Sequence, residues 1–124
     1  MAAPVVHFEI GCRDIKATRS FYGTLFGWSF DEGGPNMAMV NNIGAHAAKK
    51  TDGIGGHLNA LGHEPHKYVT IYVMVPDIGA TLAQVQKLGG KAIVPKTEVP
   101  GMGHFAWFED VAGNVVGLWT PMTR

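Results

Sequence analysis

The sequence repeats itself at an offset of 63 residues, and this repeat limits the possible folds more than any other feature of the chain. The segment VHFEIGCRDIKATRSFYGTLFGWSF, which starts at Val6, aligns without gaps with VTIYVMVPDIGATLAQVQKLGGKAI, which starts at Val69. The identical positions are Val6/Val69, Asp14/Asp77, Ile15/Ile78, Ala17/Ala80, Thr18/Thr81, Leu25/Leu88 and Gly27/Gly90. Self-similarity at a fixed offset predicts two copies of one supersecondary unit.

Each copy begins with an apolar, β-branched run that leads into an aspartate. The runs cover residues 5 to 10 and 69 to 75, and Asp14 and Asp77 follow them as candidate helix N-caps. The apolar residues at helical spacing are Ile15, Tyr22, Leu25 and Phe26 in one copy and Ile78, Leu82, Val85 and Leu88 in the other, with stops at Gly27 and Gly89-Gly90. Each copy is therefore predicted to run from a strand into an amphipathic helix.

Three further strand-like runs follow each helix and are separated by Gly, Pro, Asn and Asp. They cover residues 28 to 31, 37 to 41, 54 to 61, 92 to 94, 104 to 109 and 115 to 120. Residues 44 to 52 are predicted to form a loop. Residues 95 to 103 are predicted to form a long turn, because this stretch holds two prolines and two glycines. The pattern predicts one α+β domain over residues 1–124, made of two tandem βαβββ modules at about residues 4–62 and 67–121.

The composition is that of a single domain, and its charge balance leaves small molecules and proteins as possible partners. The chain has 124 residues, of which 46% are hydrophobic, and this is enough for one core. Ten basic and ten acidic residues cancel and form no basic run, so we expect no nucleic-acid or membrane partner. No apolar segment approaches the roughly 18 residues of a membrane helix, and no targeting segment is recognised. The single cysteine, Cys12, excludes an internal disulfide and is typical of a reducing compartment, so a cytoplasmic protein is predicted.

Two motifs resemble those of the vicinal oxygen chelate superfamily, which includes glyoxalases, bleomycin-resistance proteins and extradiol dioxygenases. They are FYGTLFGW at residues 21 to 28 and FEDVAGNVVGLWTP at residues 108 to 121, and the second is similar to the family's hairpin before its last strand. The resemblance implies curved mixed β-sheets around a cavity, with the active-site residues on the inward face. It also implies a homodimer, because many relatives form one. It does not imply one activity, since the superfamily spans several chemistries.

The resemblance also implies where a metal would bind. In metal-dependent members each module donates one ligand from its first strand and one from its last. The matching positions of this sequence are His7, His57, Thr70 and Gly117. Two imidazoles fall short of the three protein ligands that a catalytic zinc site usually has. We therefore interpret His7 and His57 either as an incomplete metal site or, preferably, as polar residues that bond a ligand, water or each other, and we expect no cofactor.

Side-chain alternation along the strands predicts a ligand-binding face. Its members are His7, Glu9, Gly11, His57, Asn59, Thr70, Tyr72, Met74, Val115, Gly117 and Trp119. Aromatic side chains mixed with a few polar groups are typical of a small-molecule site. Glu9 lies beside His7 and is the candidate catalytic residue for acid–base chemistry, although the same spacing suits a structural hydrogen bond.

The aromatic residues of this face have two interpretations. Tyr72 and Trp119 either contact the ligand or fill the core, whereas Trp107 is predicted to belong to the core. The missing side chain of Gly117 leaves room either for a ligand or for a facing aromatic ring.

The remaining histidines are not predicted to be metal ligands. His63, Glu64 and His66 lie in the proline-containing link between the modules and are interpreted as a solvated loop. His46 lies in a Gly/Ala loop and His104 opens a strand, and neither has a recognisable ligand spacing.

The function predicted from the sequence is that of a glyoxalase-like, homodimeric protein that binds a small organic ligand in a cavity between its modules, without a complete catalytic metal site. One alternative is a metal-dependent enzyme of the lactoylglutathione lyase type, in which His7 and His57 hold a cation completed by water and substrate. Another alternative is a drug-sequestering protein that resembles bleomycin-resistance proteins. The sequence leaves open whether the protein is an enzyme. If it is one, the resemblance implies a lyase, an isomerase or a relative of the dioxygenases.

Overall fold

The computed structural model describes residues 2–31, 34–45 and 47–122, so that His46 lies outside the described residues. Strands and helices follow one another in the order β1 (Val5–Gly11), α1 (Ile15–Phe26), β2 (Met37–Met39), β3 (Gly55–Asn59), β4 (Val69–Met74), α2 (Ile78–Lys87), β5 (Lys91–Val99), β6 (Gly103–Glu109) and β7 (Val115–Pro121). The predicted α+β class is confirmed. Neither described helix has the length and apolar character needed to cross a bilayer.

Equivalent residues of the sequence repeat start the two helices. The Asp14 carboxylate accepts a hydrogen bond from the Ala17 backbone N–H at 3.1 Å, and the Thr18 hydroxyl donates to the Asp14 carbonyl at 2.8 Å. The same two bonds recur among Asp77, Ala80 and Thr81 at 3.0 and 2.8 Å. Each aspartate therefore satisfies a backbone donor that the first helical turn leaves without a partner, as an N-cap does.

The helix ends also follow the prediction. Gly27 ends α1 with a φ of 72° and donates its N–H to the Gly23 carbonyl at 2.9 Å. After α2, Gly89 takes up the left-handed conformation with a φ of 96°. Ile15 and Ile78 turn into the core, whereas the predicted apolar residues near the helix ends, Leu25, Phe26 and Leu88, are more than half exposed.

The described chain divides into two compact units, which we call the first unit (residues 7–69) and the second unit (residues 2–6 and 70–122). In the first unit β3 pairs in parallel with β1 and antiparallel with β2. The core beneath this sheet consists of Cys12, Ile15, Ala38 and Leu58. The loop predicted over residues 44 to 52 contains turns and bends but no strand among its described residues.

The strand predicted over residues 28 to 31 is reduced to a single bridge between Phe30 and Val40. A side chain takes up one backbone N–H that a longer ladder would use, and a second bond joins two side chains beside it. The Asn42 side-chain oxygen accepts from the Ser29 N–H at 2.9 Å, and Asn41 donates to the Asp31 carboxylate at 2.8 Å. Local side-chain bonds of this kind compete with regular pairing.

In the second unit the strand order is β4-β7-β6-β5, with β4 and β7 parallel and the other neighbours antiparallel. Val75, Ile78, Ala106 and Leu118 form its core. The turn that joins β6 to β7 is closed by Asp110, whose Oδ1 accepts from the backbone N–H groups of Asn114 at 2.9 Å and Ala112 at 2.8 Å. These bonds, that of Asn114 first, lower the pKa of the Asp110 carboxyl group.

The predicted loop over residues 95 to 103 is wrong in its first half. β5 continues to Val99, and only residues 100 to 102 form the turn. Proline is tolerated here because β5 ends the order of strands in this unit, and the register with β6 shifts between Val94 and Thr97, on either side of Pro95. Prolines in sheets are confined to such edge strands and irregularities.

Candidate functional site

The pairing of β1 with β3 brings four of the predicted site residues together. Glu9 lies opposite His57, and Gly11 lies opposite Asn59, in a parallel register. His7 lies opposite Gly55, which has no side chain to separate the two imidazoles. Residues that face each other across two neighbouring strands point to the same side of the sheet, so His7, Glu9, His57 and Asn59 share one face.

The four side chains form a continuous series of polar contacts. Nε2 of His7 lies 2.7 Å from Nδ1 of His57, and the two rings have centroids 5.0 Å apart. Nε2 of His57 lies 3.2 Å from Oε1 of Glu9. His7 and Glu9 are therefore bonded to different edges of the His57 ring. Burial increases from His57 to Glu9: the side chain of His57 is 14% exposed and that of Glu9 only 2%.

Tyr68 extends this series of contacts at its buried end, beside Glu9. The sequence analysis did not identify this residue. Its hydroxyl donates a short hydrogen bond to Oε2 of Glu9. The Asn59 side-chain amide donates to the same oxygen at 3.3 Å and to the Tyr68 hydroxyl at 3.4 Å. Burial, followed by the hydrogen bond to Glu9, raises the pKa of Tyr68 above its usual range. We call His7, His57, Glu9, Asn59 and Tyr68 the histidine–glutamate network.

Gly11 makes room for the Tyr68 ring. A Cβ atom at residue 11 would lie 2.1 Å from Cε1 of Tyr68, well inside van der Waals contact. The backbone fixes the same approach, because the Gly11 N–H donates to the Tyr68 carbonyl at 2.8 Å. The signal that could have identified Tyr68 is this glycine on the predicted ligand-binding face, which indicates that a bulky group covers it.

Above about pH 10 we expect the protein to lose stability more steeply than a Tyr68→Phe variant. The phenol ionises at its ordinary pKa of 10.0 in the unfolded chain, while the folded state holds the proton to higher pH. Stability from the neutral phenol is therefore fully present below that pKa and is lost as pH rises towards the folded-state value. Urea midpoints across the alkaline range measure this loss, with Tyr22→Phe as a matched control. Equal slopes for all three proteins would contradict the expectation.

The corresponding positions of the second unit are occupied differently. Thr70 is buried, and its hydroxyl donates to the Val115 carbonyl at 2.9 Å. Tyr72 pairs with Gly117, and a Cβ atom at residue 117 would lie 2.4 Å from Cδ2 of the Tyr72 ring. The structure thus places an aromatic ring over Gly117, which was one of the two interpretations of that glycine.

The two tryptophans of this unit, Trp107 and Trp119, differ in burial. Trp107 is buried, as predicted for a core residue, and its indole N–H donates to the Tyr72 hydroxyl at 2.8 Å. Met74 and Trp119 pair across β4 and β7, and both are partly exposed. Of the predicted face, the second unit therefore brings Tyr72 together with Gly117 and Met74 together with Trp119.

The donors do not fit a catalytic cation. Among the described residues no group of three or more His, Cys, Asp or Glu side chains could hold a metal ion. Thr70 is bonded to a backbone carbonyl and Gly117 has no donor, so the second unit adds no strong ligand at either matching position. His63 and His66 are engaged locally, since the His63 ring bonds the Glu64 carbonyl at 2.8 Å and the Glu64 carboxylate accepts from the His66 N–H at 3.1 Å.

The fold, with repeated units that each carry a helix on a mixed sheet, is that of glyoxalase-like proteins. The chain belongs to the Glyoxalase/Bleomycin resistance protein/Dioxygenase superfamily, whose family model matches residues 5–118. The resemblance read from the two motifs is therefore confirmed.

Relatives of different kinds share this family. The chain is 28% identical over 123 residues to the anthracycline biosynthesis protein DnrV of Streptomyces peucetius, covering 90% of this chain and 45% of the relative. It is 29% identical over 116 residues to the putative glyoxylase CFP32 of Mycobacterium tuberculosis, covering 90% of this chain and 43% of the relative. The chain thus spans about half the length of these relatives.

Solved structures with the same fold include methylmalonyl-CoA epimerase from Mycobacterium tuberculosis. It superposes with a TM-score of 0.68 at 14% identity, over 96% of this chain and 88% of the epimerase. At this identity the likeness concerns the fold alone.

Proposed function

We propose that this chain is a glyoxalase-like protein that binds a small organic ligand at the histidine–glutamate network, without a catalytic cation. The observation that carries the proposal is the direct hydrogen bond between the two imidazoles, 2.7 Å long. The cavity between the modules, the homodimer and the cytoplasmic location stay predictions.

The geometry of the imidazole pair favours a hydrogen bond over a shared metal. Two nitrogens bound to one tetrahedral zinc ion at the usual bond length lie about 3.3 Å apart. The nitrogens of His7 and His57 are closer than this, at a distance typical of a strong hydrogen bond. Glu9 binds the other nitrogen of His57, so the three side chains do not converge on one point.

The same network supports ligand binding. Its buried end is satisfied within the protein, while His7 and His57 at the other end are partly exposed. A few polar groups whose orientation is fixed by buried partners are typical of small-molecule sites. Glu9 is held at the closed end, so we propose that it orients His57 and does not itself contact the ligand.

The drug-sequestering alternative receives less support. Stacking on a planar drug needs an accessible aromatic face, and Tyr72 and Trp107 are only 6% and 8% exposed. Trp119 is more accessible, but it pairs with Met74 and lies outside the histidine–glutamate network.

Metal analysis tests the proposal. We expect the protein, incubated with Zn²⁺, Ni²⁺, Mn²⁺ or Fe²⁺ and then desalted, to retain far less than one ion per chain. A His7→Ala/His57→Ala double variant should retain the same amount, and His63→Ala/His66→Ala serves as the matched control. Near-stoichiometric metal that disappears only in the His7/His57 variant would overturn the proposal in favour of the metal-dependent lyase or isomerase.

A thermal-shift screen of small organic compounds tests the ligand half of the proposal. We expect hits whose stabilisation is lost in His7→Ala/His57→Ala and kept in the control variant. Hits that stabilise both variants equally would place the ligand elsewhere and contradict the proposal.

A further inference from the structure

We propose that Met37 and Met39 of β2 form the apolar side of the ligand site, and that the ligand is an aromatic compound with a polar group. The polar group faces the imidazoles of the histidine–glutamate network, and the ring lies against the two thioethers. This inference deepens the proposed function and rests on it, because it takes the histidine–glutamate network as the place where the ligand binds.

The first step is the position of the two methionines in the sheet. In the antiparallel register of β2 with β3, Met39 lies opposite His57 and Met37 lies opposite Asn59. Residues directly opposite each other on neighbouring strands project to the same side of a sheet, with Cβ atoms about 5 Å apart. Both thioethers therefore lie on the face that carries the histidine–glutamate network, next to the side chains of His57 and Asn59.

The second step is that these methionines do not fill the core. Ala38, between them, is buried and belongs to the core of the first unit together with Leu58, its partner on β3. Met37, in contrast, is 37% exposed, and Met39 is partly exposed. The strand thus turns its small side chain inwards and leaves two large apolar side chains accessible beside polar groups.

The backbone holds both methionines in place. The Asn36 carbonyl, just before β2, accepts from the Ala60 N–H at 2.8 Å, and the Met39 carbonyl accepts from the Asp31 N–H at 2.9 Å. β2 is therefore fixed at both ends, although it has only three residues. The unbranched methionine side chains are the adaptable part of this surface, because methionine can follow the shape of an irregular apolar partner.

The chemistry of the face defines the ligand class. The methionines lie on β2 at one edge, and the imidazoles of His57 and His7 follow on β3 and β1. Apolar groups beside a few polar ones bind ligands that combine an apolar body with a polar group. Thioether sulfur also makes favourable contacts with aromatic rings, at about 5 Å from the ring. An aromatic ring with a polar substituent matches both parts of this face, whereas a wholly polar ligand would match only one.

NMR of the methionine methyl groups tests this inference, with benzyl alcohol as the aromatic probe and cyclohexylmethanol as its saturated counterpart. Single methionine-to-leucine variants assign the signals. We expect benzyl alcohol to shift the methyl signals of Met37 and Met39 saturably and to bind about threefold more tightly than cyclohexylmethanol. The methyl groups of Met102 and Met122, which are exposed in the second unit, should not shift. Unshifted signals of Met37 and Met39, or equal binding of the two probes, would overturn the inference.

Substitutions separate the methionines from the imidazoles. We expect Met37→Ser/Met39→Ser to weaken the binding of benzyl alcohol about fivefold, while Met102→Ser binds it as the wild type does. Met37→Gln/Met39→Gln, which keeps the length of the side chains, replaces the serine variant if that variant does not fold.

The His7→Ala/His57→Ala variant shows which proposal fails. We expect it, too, to bind benzyl alcohol more weakly than the wild type. Binding that is lost in this variant but kept in the methionine variant would overturn the role of the methionines and leave the proposed function standing. Binding that is lost in the methionine variant but kept in the histidine variant would contradict the proposed function, and with it the contact between the polar group and the imidazoles.

Discussion

Glu9→Ala is expected to lower the free energy of unfolding by about 3 kcal/mol, because it removes a buried acceptor on which several donors converge. The lost partners are Nε2 of His57, the Asn59 amide and the Tyr68 hydroxyl. The glutamate side chain is 2% exposed, so its removal also leaves a buried cavity. Urea unfolding followed by tryptophan fluorescence measures the effect.

Glu9→Gln is the matched control for that change. It keeps the shape and one acceptor oxygen while it removes the charge, so we expect a loss of only about 1 kcal/mol. An alanine variant as stable as the wild type would mean that the network is held by other contacts and that Glu9 is not its centre.

Gly117→Glu is expected to destabilise the protein by about 3 kcal/mol, the upper end of the cost of overpacking a core. The substitution places a carboxylate at a position where the family resemblance implies a metal ligand. However, its Cβ would lie 2.4 Å from the Tyr72 ring, which is buried and bonded to Trp107. The ring cannot move aside without disturbing that bond. The midpoint of urea unfolding measures the loss.

Val115→Glu and a double variant complete this second experiment. Val115 lies on the same strand and is exposed, so a glutamate there should change stability by no more than about 0.5 kcal/mol. In Gly117→Glu/Tyr72→Ala the two effects should be less than additive, because the smaller residue removes the clash. Strict additivity would show that the Tyr72 ring does not limit the space at residue 117.

Much of the fold could be predicted because the residues that the repeat shares form bonds with groups only a few positions away in the sequence. An aspartate can cap a helix through a bond to a backbone N–H only three residues further along the chain, and the bonds of Asp14 and Asp77 agree within 0.1 Å. Pro95 led to a wrong prediction, because a proline disrupts a strand that is paired on both sides but is tolerated in a strand that is paired on one side only. That property follows from the order of strands and not from the local sequence.

The candidate site could be predicted in part for the same reason. Alternation along β1 and β3 placed His7, Glu9, His57 and Asn59 on one face, and the parallel register brings them into contact. Alternation does not show which side chains of such a cluster bond to one another. Alternation did not identify Tyr68, because this residue lies outside the strands, in the link after β3, and reaches Glu9 through tertiary packing. Only Gly11, whose missing side chain leaves room for the ring, indicated a bulky neighbour.

The irregular course of β5 also affects how the protein behaves at high concentration. An exposed strand edge can recruit a strand from another molecule and so begin aggregation. Pro95 has no N–H to offer, and the register with β6 shifts once before it, between Ala92 and Val94, and once across it, between Val94 and Thr97, so that the ladder along this strand is not regular. The residue that made the sequence difficult to interpret therefore protects this edge against intermolecular β-sheet growth.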